Sequence, residues 1–309
     1  MTRRSRVGAC PADVARLKSA LDRLYRQYDH ADRVADPIEV ARRYSSPADR
    51  EIAAFCAAGL AFGRVASILP SIERLLAAIG PSPASFLSRF DPGSDMRLFD
   101  GLGHRWTRGH DLAGLLWILK RMVETRGSIE GFFLDGYDPG APDVGSALEA
   151  FSCAALRIDL RPVYGPRVPR RPGVRYFFPK PSGGSACKRL NLFLRWMVRH
   201  DDVDFGLWTR VSPSKLIVPL DTHVIRLGRC LGLTRYTTPG WRMAAEITAS
   251  LRTIDPDDPV KYDFSLCHVG MMEACGFKRP YRDQRCPLRG LCRPVVRRAR
   301  SSARPSGPR

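Results

Sequence analysis

Two short stretches of this chain carry residue types that could do chemistry together. One is Gly183-Gly184-Ser185-Ala186-Cys187-Lys188-Arg189-Leu190-Asn191; the other is Pro219-Leu220-Asp221-Thr222-His223-Val224-Ile225-Arg226. A glycine turn entering a helix offers backbone N–H groups that can hold a phosphate, which makes Gly183, Gly184 and Ser185 candidate backbone contacts. The spacing predicts Lys188 one turn inside that helix, its amine projecting beside the held strand. Asp221 begins a second helix, where the positive end of the helix dipole favours an ionised carboxylate. An amine near a carboxylate suits attack on a sugar C1′. The amine displaces a base and forms a Schiff base, while the carboxylate accepts its proton or supports the developing oxocarbenium ion. Blander roles stand beside these. Asp221 could simply cap its helix, Lys188 could be a solvated helix lysine, and Asn191 could brace the turn. His223 reads as a helix-start residue with a local hydrogen bond. Lys215, in Ser212-Pro213-Ser214-Lys215, is the nearest rival amine and reads as loop.

The charge balance narrows the partner. Fifty Lys and Arg face 31 Asp and Glu among 309 residues, for a formal net charge of +19. An enzyme of small metabolites rarely needs that excess, whereas phosphate backbones attract it through counterion release. Arg189, Asn191 and Arg226 join the glycine turn as candidate DNA contacts. Hydrophobic residues make up 44%, too many for a disordered chain. No run approaches the roughly 18–20 apolar residues of a membrane span, and MTRRSRVGAC lacks a secretory h-region. The expectation is a cytoplasmic, nucleoid-associated protein with no membrane partner. Nine cysteines in a reducing compartment are buried thiols or metal ligands before they are disulfides.

The elements that must position these residues read as helices. Val14, Leu17, Leu21 and Leu24 mark an amphipathic helix over 12–30. Ser46-Pro47-Ala48-Asp49 opens another, with a hydroxyl at the N-cap and proline at the first helical position. Helical patterns follow at about 64–79, 112–126 and 145–156, while 83–111 is broken into short pieces. From Arg161 to Ser182, six prolines interrupt a stretch holding Arg161, Arg167, Arg170, Arg171, Arg175 and Lys180 beside Tyr176, Phe177 and Phe178. That segment is either a nucleic-acid contact or a solvated linker. Helices resume over 185–199, 221–232, 240–253 and 260–272. No period-2 strands or internal repeats are evident, so the fold class is all-α.

Lys188-Arg189-Leu190-Asn191 and Asp221-Thr222-His223 resemble the Lys-x-x-Asn helix and Asp-x-His helix start of the helix-hairpin-helix DNA glycosylase superfamily. The hairpin keeps only Pro181 and the Gly183-Gly184 pair of the usual glycine-rich form. Lys188 and Asp221 lie 33 residues apart, farther than in common members and similar to the archaeal 8-oxoguanine glycosylase branch. Over roughly residues 30–292 the chain resembles an uncharacterised bacterial family near that branch. The resemblance implies two helical subdomains with a central cleft, a glycosylase-like domain over 31–292 and a hairpin at about 181–200. An N-terminal helix and basic arm (1–30) would precede it, and a disordered Arg-rich tail (293–309) would follow. It also implies a monomer acting on double-stranded DNA, with Lys188 and Asp221 catalytic.

Cys267, Cys275, Cys286 and Cys292 form C-x7-C-x10-C-x5-C within a 267–292 loop. Many members of the resembled superfamily end in C-x6-C-x2-C-x5-C around an iron–sulfur cluster. The last half matches and the first only approximately, which leaves a cluster, a zinc ion and a metal-free loop all open. None is required for the chemistry. The expected activity is base-excision repair by a glycosylase, with AP lyase activity through a lysine Schiff base and an oxidised purine as one substrate class. The alternative is a non-catalytic DNA- or RNA-binding protein. Trp196, Trp208 and Trp241 are candidate stacking partners for an extruded base, or core residues.

Overall fold

The computed structural model describes residues 11–28, 30, 36–272 and 284–292. Cys275, the basic arm before residue 11 and the Arg-rich tail lie outside them. The described chain is predominantly helical: α1 (Pro11–Tyr28), α2 (Ile38–Arg42), α3 (Pro47–Leu60), α4 (Val65–Ile79), α5 (Pro83–Arg89), α6 (Pro92–Asp95), α7 (Gly109–Arg126), α8 (Ile129–Leu134), α9 (Gly145–Ala155), α10 (Arg161–Tyr164), α11 (Lys188–Val198), α12 (Thr222–Cys230), α13 (Trp241–Arg252) and α14 (Asp263–Met271). One antiparallel hairpin departs from the strand-free expectation. It pairs β1 (Gly103–His104) with β2 (Thr107–Arg108). Two-residue strands are too short to show a period of 2.

Helix α3 is the inner pillar. The Ser46 hydroxyl accepts from the Asp49 N–H, and Pro47 sits at the helix start. Its buried face is largely alanine, with Phe55 and Cys56, so neighbouring helices approach closely; α11 packs along it. Glu51, buried on α3, accepts from the N–H groups of Ile129 and Glu130 at 3.0 Å each and from Trp208 Nε1 at 2.7 Å. Burial pushes its carboxyl upward, against these three donors.

Helix α11 presents Leu190, Phe193, Leu194 and Met197 to the core, all buried, as its apolar spacing requires. It also buries two arginines. Arg195 pairs with Asp204 at 3.2 Å and Asp263 at 2.6 Å; Arg199 pairs with Asp201 at 2.7 Å, Asp258 at 2.9 Å, and Asp204. Buried charges are tolerated only when paired like this. The network ties α11 to the following loop and to the start of α14.

The proline-rich stretch is not a detached linker. It folds into α10 and two single 3-10 turns, Gly173–Phe177 and Pro181–Gly183. Val174, Phe177 and Phe178 are buried, with Phe178 5.8 Å from Phe55 and 6.1 Å from Phe151, ring to ring. Arg161, Arg167, Arg170, Arg171 and Arg175 stay exposed. The segment therefore nails an arginine-rich surface to the core.

Candidate functional site

The turn before Lys188 is longer than its sequence suggests. Helix α11 starts at Lys188, not Ser185. The Ser185 hydroxyl accepts from the Cys187 N–H at 3.1 Å, closing a local turn, and Cys187 takes the left-handed conformation at φ 49°. A non-glycine residue there costs about 1–2 kcal/mol, and such outliers concentrate at functional sites. Lys188 is thus the first helical residue. Asn191 braces the turn by donating Nδ2–H to the Ala186 carbonyl at 3.0 Å. Gly184, at φ 78°, accepts from the Trp241 N–H at 3.3 Å, docking the turn on α13. At Gly240 a Cβ would lie 2.8 Å from the Gly184 oxygen, so that position admits no side chain.

The N–H groups of Gly183 and Gly184 turn back onto Lys180 and Pro181 carbonyls. Those of Ser185 and Ala186 have no acceptor among the described residues, and neither do those of Lys188, Arg189 and Leu190, the uncapped first turn of α11. The N–H groups without acceptors among the described residues therefore sit one step later than the glycine pair. Ser182 is already taken: its N–H and hydroxyl donate to Glu149 at 3.0 and 2.7 Å.

Lys188 is half-buried, and its Nζ donates to the Ala61 carbonyl at 3.3 Å. No carboxylate pairs with it among the described residues. Arg189 points the other way, into the protein. It donates to the carbonyls of Gly59 (2.8 Å) and Tyr176, and its guanidinium lies 3.6 Å from the Tyr176 ring centre and 5.3 Å from that of Phe62. Burial without a carboxylate pulls it down to about 10. Its place is beneath the surface, as the cation that cements Tyr176 and Phe62 to α11.

Asp221 is the N-cap of α12, its Oδ1 accepting from the Val224 N–H at 2.7 Å. Its Oδ2 receives the Cys267 thiol at 3.1 Å. Cys267 lies one turn along α14 from Asp263, the residue bound to Arg195 of α11, so α14 links the helix of Lys188 to the cap at Asp221. Burial and the neighbouring Asp221 charge push the Cys267 thiol well up. Burial lifts Asp263 to about 7 against the pull of Arg195, and Asp221 adds to the rise. His223 packs against Gly270, where a Cβ would meet its imidazole, and its buried Nδ1 has no hydrogen-bond partner among the described residues. Arg226 lies exposed on α12. No ion pair joins Lys188 to Asp221. Lys215, the rival amine, closes a 3-10 turn and donates to the Ala141 carbonyl at 2.7 Å.

Of the candidate tryptophans, Trp196 and Trp208 are core residues and Trp241 is half-buried at the start of α13. The exposed one is Trp106, at the tip of the β1–β2 turn. Its signal in the sequence is the glycine-flanked Gly101-Leu102-Gly103-His104-Arg105-Trp106-Thr107-Arg108-Gly109, a hairpin in miniature.

The cysteine set changes as well. Cys267 faces Asp221, and the sulfur beside Cys292 is that of Cys230, 3.2 Å away. Cys230 ends α12, Cys286 is buried in the same short segment as Cys292, and none of the three is in a disulfide. No group of three or more His, Cys, Asp or Glu arranged for a metal occurs among the described residues. Among the described residues two sulfurs, those of Cys230 and Cys292, come together, and that of Cys267 does not join them. Among the described residues no helix is long and apolar enough to cross a membrane.

No curated protein matches the sequence. A family model described as a protein of unknown function, DUF2400, matches residues 36–272, the span from α2 to the end of α14 that holds the turn, Lys188, Asp221 and the β1–β2 hairpin. The chain belongs to the DUF2400 family.

Proposed function

We propose that this chain is a DNA glycosylase with lyase activity, of helix-hairpin-helix type, acting on a damaged base in double-stranded DNA. The observation that supports it most is the setting of Lys188. An amine without a carboxylate partner follows a strained residue and stands beside five backbone N–H groups that lack acceptors. Those donors can hold a phosphate next to the amine. The target nucleotide must leave the stack before its C1′ can be reached. The lone pair of the Lys188 amine then attacks C1′. The C1′–N bond breaks, its electron pair leaves with the base, and the base takes up a proton. Loss of the amine's own proton and opening of the sugar ring give the Schiff base. β-Elimination then takes a proton from C2′ and breaks the 3′ C–O bond, the 3′ phosphate leaving with its electron pair, and nicks the strand. Asp221 would accept the amine proton or support the positive charge at C1′; its Oδ2 is held only by a thiol, a weak donor. Oxidised purines are the substrate class to test first.

A structural metal belongs to this reading. Cys230, Cys286 and Cys292 would hold an iron–sulfur cluster or a zinc ion, fastening the segment of Arg285 and Arg289 to the end of α12. It would take no part in the base excision itself.

A second reading, a non-catalytic DNA- or RNA-binding protein, draws on a different observation: the Lys188 amine rests on a carbonyl and both oxygens of Asp221 are engaged. Borohydride trapping separates the two. Duplexes carrying an abasic site, 8-oxoguanine or uracil are incubated with wild type and Lys188→Gln. A covalent adduct on a base lesion that vanishes in the variant supports the glycosylase. Salt-sensitive binding without any adduct supports the second reading.

A further inference from the structure

Three chain segments far apart in sequence bring four aromatic rings together at the surface. Trp106 stands at the hairpin tip with 53% of its surface exposed. Its ring centre lies 4.9 Å from Phe62, tilted, and 4.9 Å from Tyr176, edge-on. Phe62 in turn contacts Tyr176 at 4.9 Å and His104 at 4.5 Å. A tryptophan left in water would normally fold down onto the protein to bury its indole. Here it rests on Phe62 and Tyr176 and keeps about half of its surface in water. His104 Nε2 bonds to the Phe62 carbonyl at 2.7 Å and Nδ1 to Ser71 Oγ at 3.0 Å, so the hairpin is clamped to α4. Arg189 props Tyr176 and Phe62 from below.

The rim is cationic. Arg64, Arg105, Arg108 and Arg175 are exposed, and none is in an ion pair among the described residues. The segments 61–64, 103–108 and 173–178 contain no Asp or Glu. Arg105 adopts φ 55°, and its guanidinium lies over Gly63, where a Cβ would come within 2.9 Å of Nε. That glycine makes room for the cation beside the indole. The platform also adjoins the candidate nucleophile: Lys188 bonds to the carbonyl of Ala61, the residue before Phe62.

From this we infer that Trp106, braced by Phe62 and Tyr176 and rimmed by Arg64, Arg105, Arg108 and Arg175, is a stacking platform for an unpaired nucleobase. A rim of exposed arginines, with Asp111 buried beneath it, around a flat apolar face suits a group that is itself flat and apolar on a polyanionic chain. Stacking of bases on aromatic side chains, with arginines on the backbone, is how unpaired strands are held. This deepens the proposed function by naming what the site recognises beside Lys188: a nucleotide out of its helix. It rests on that reading only for its partner class, and it does not need the lysine chemistry.

The test measures affinity by fluorescence anisotropy for three labelled probes: a 12-nucleotide oligothymidylate, a duplex with one bulged thymidine, and the fully paired duplex. Wild type, Trp106→Ala, Trp106→Phe and Lys188→Gln are compared. Trp106→Ala should weaken binding to the first two probes by about tenfold or more and to the paired duplex by less than about twofold. Trp106→Phe should restore most of the loss, which a merely misfolded hairpin would not allow. Lys188→Gln should keep the preference for unpaired probes even if borohydride trapping finds no chemistry. Equal losses on all three probes, no loss in Trp106→Ala, or no nucleic-acid binding by wild type would each overturn the platform. Retained trapping with an unaltered Trp106→Ala profile would overturn it alone and leave the glycosylase reading standing.

Discussion

The Cys267 thiol donates to Asp221 Oδ2 at 3.1 Å, while Oδ1 of the same carboxylate caps α12 through the Val224 N–H at 2.7 Å. One side chain thus serves a helix end and faces a buried thiol, and the two duties can be separated by substitution.

Asp221→Asn keeps an oxygen for the cap and removes the charge. Its stability in urea denaturation should stay close to wild type, whereas Asp221→Ala should lose about 1 kcal/mol. If the proposed chemistry holds, both variants should lose borohydride-trappable adduct at least tenfold. Full trapping by Asp221→Asn would reduce Asp221 to a helix cap.

Cys267→Ser preserves a donor to Oδ2; Cys267→Val removes it and leaves that oxygen unsatisfied. An acceptor left unsatisfied at this half-buried position costs about 1 kcal/mol, the low end for buried groups, so Cys267→Val should unfold at lower urea than Cys267→Ser. Similar midpoints for the two would mean that the thiol contributes only its bulk.

The thiols of Cys230 and Cys292 converge and that of Cys267 does not join them. Purified protein should carry iron or zinc by elemental analysis, with a visible absorbance band only for iron–sulfur. Cys230→Ser and Cys292→Ser should lower the metal content severalfold, and Cys267→Ser should leave it unchanged. A wild type without metal, and with Cys230 and Cys292 oxidised to each other in a thiol titration, would reject the metal.

Burial pushes the thiols of Cys56 and Cys187 up to about 12. Their protonated forms favour the fold, so this contribution is complete below the ordinary thiol range near pH 8.5 and is lost as the pH rises towards 12. Each should remove roughly 2 kcal/mol of stability between pH 8 and pH 10. Urea melts at both values check this, and Cys56→Ala should show a correspondingly smaller loss. An identical loss in that variant would locate the alkaline sensitivity elsewhere.

Much of the helical fold was legible in local spacing. The apolar repeat of α1, the Ser46-Pro47 start of α3 and the runs behind α4, α7, α9 and α13 are set by residues within a few turns of one another. The start of α11 was not. Ser185 has the chemistry of an N-cap, but its hydroxyl closes a turn to Cys187, and the left-handed Cys187 delays the helix to Lys188. Lys188, Asn191 and Asp221 could be singled out from their neighbours. The glycine-flanked segment of Trp106 leaves a local trace of the turn, but the roles of Trp106 and Cys230 do not show there, because they come from contacts across the chain: Trp106 meets Phe62 and Tyr176, and Cys230 meets a sulfur 62 positions later. Arg189 shows the reverse case, a cation whose sequence setting suggests a phosphate and whose side chain turns inward to an aromatic ring.

The buried pairs of Arg195 and Arg199 make the seating of α11 depend on residues far along the chain. Their carboxylate partners include Asp258 and Asp263, which emerge some sixty residues after α11. Until α14 is made, α11 would have to bury two cations that lack part of their countercharge, so it has little reason to settle against α3. A growing chain that already contains Lys188 therefore does not yet present it in place. The place of Lys188 against Ala61 thus depends on charge pairs that the far end of the described chain completes.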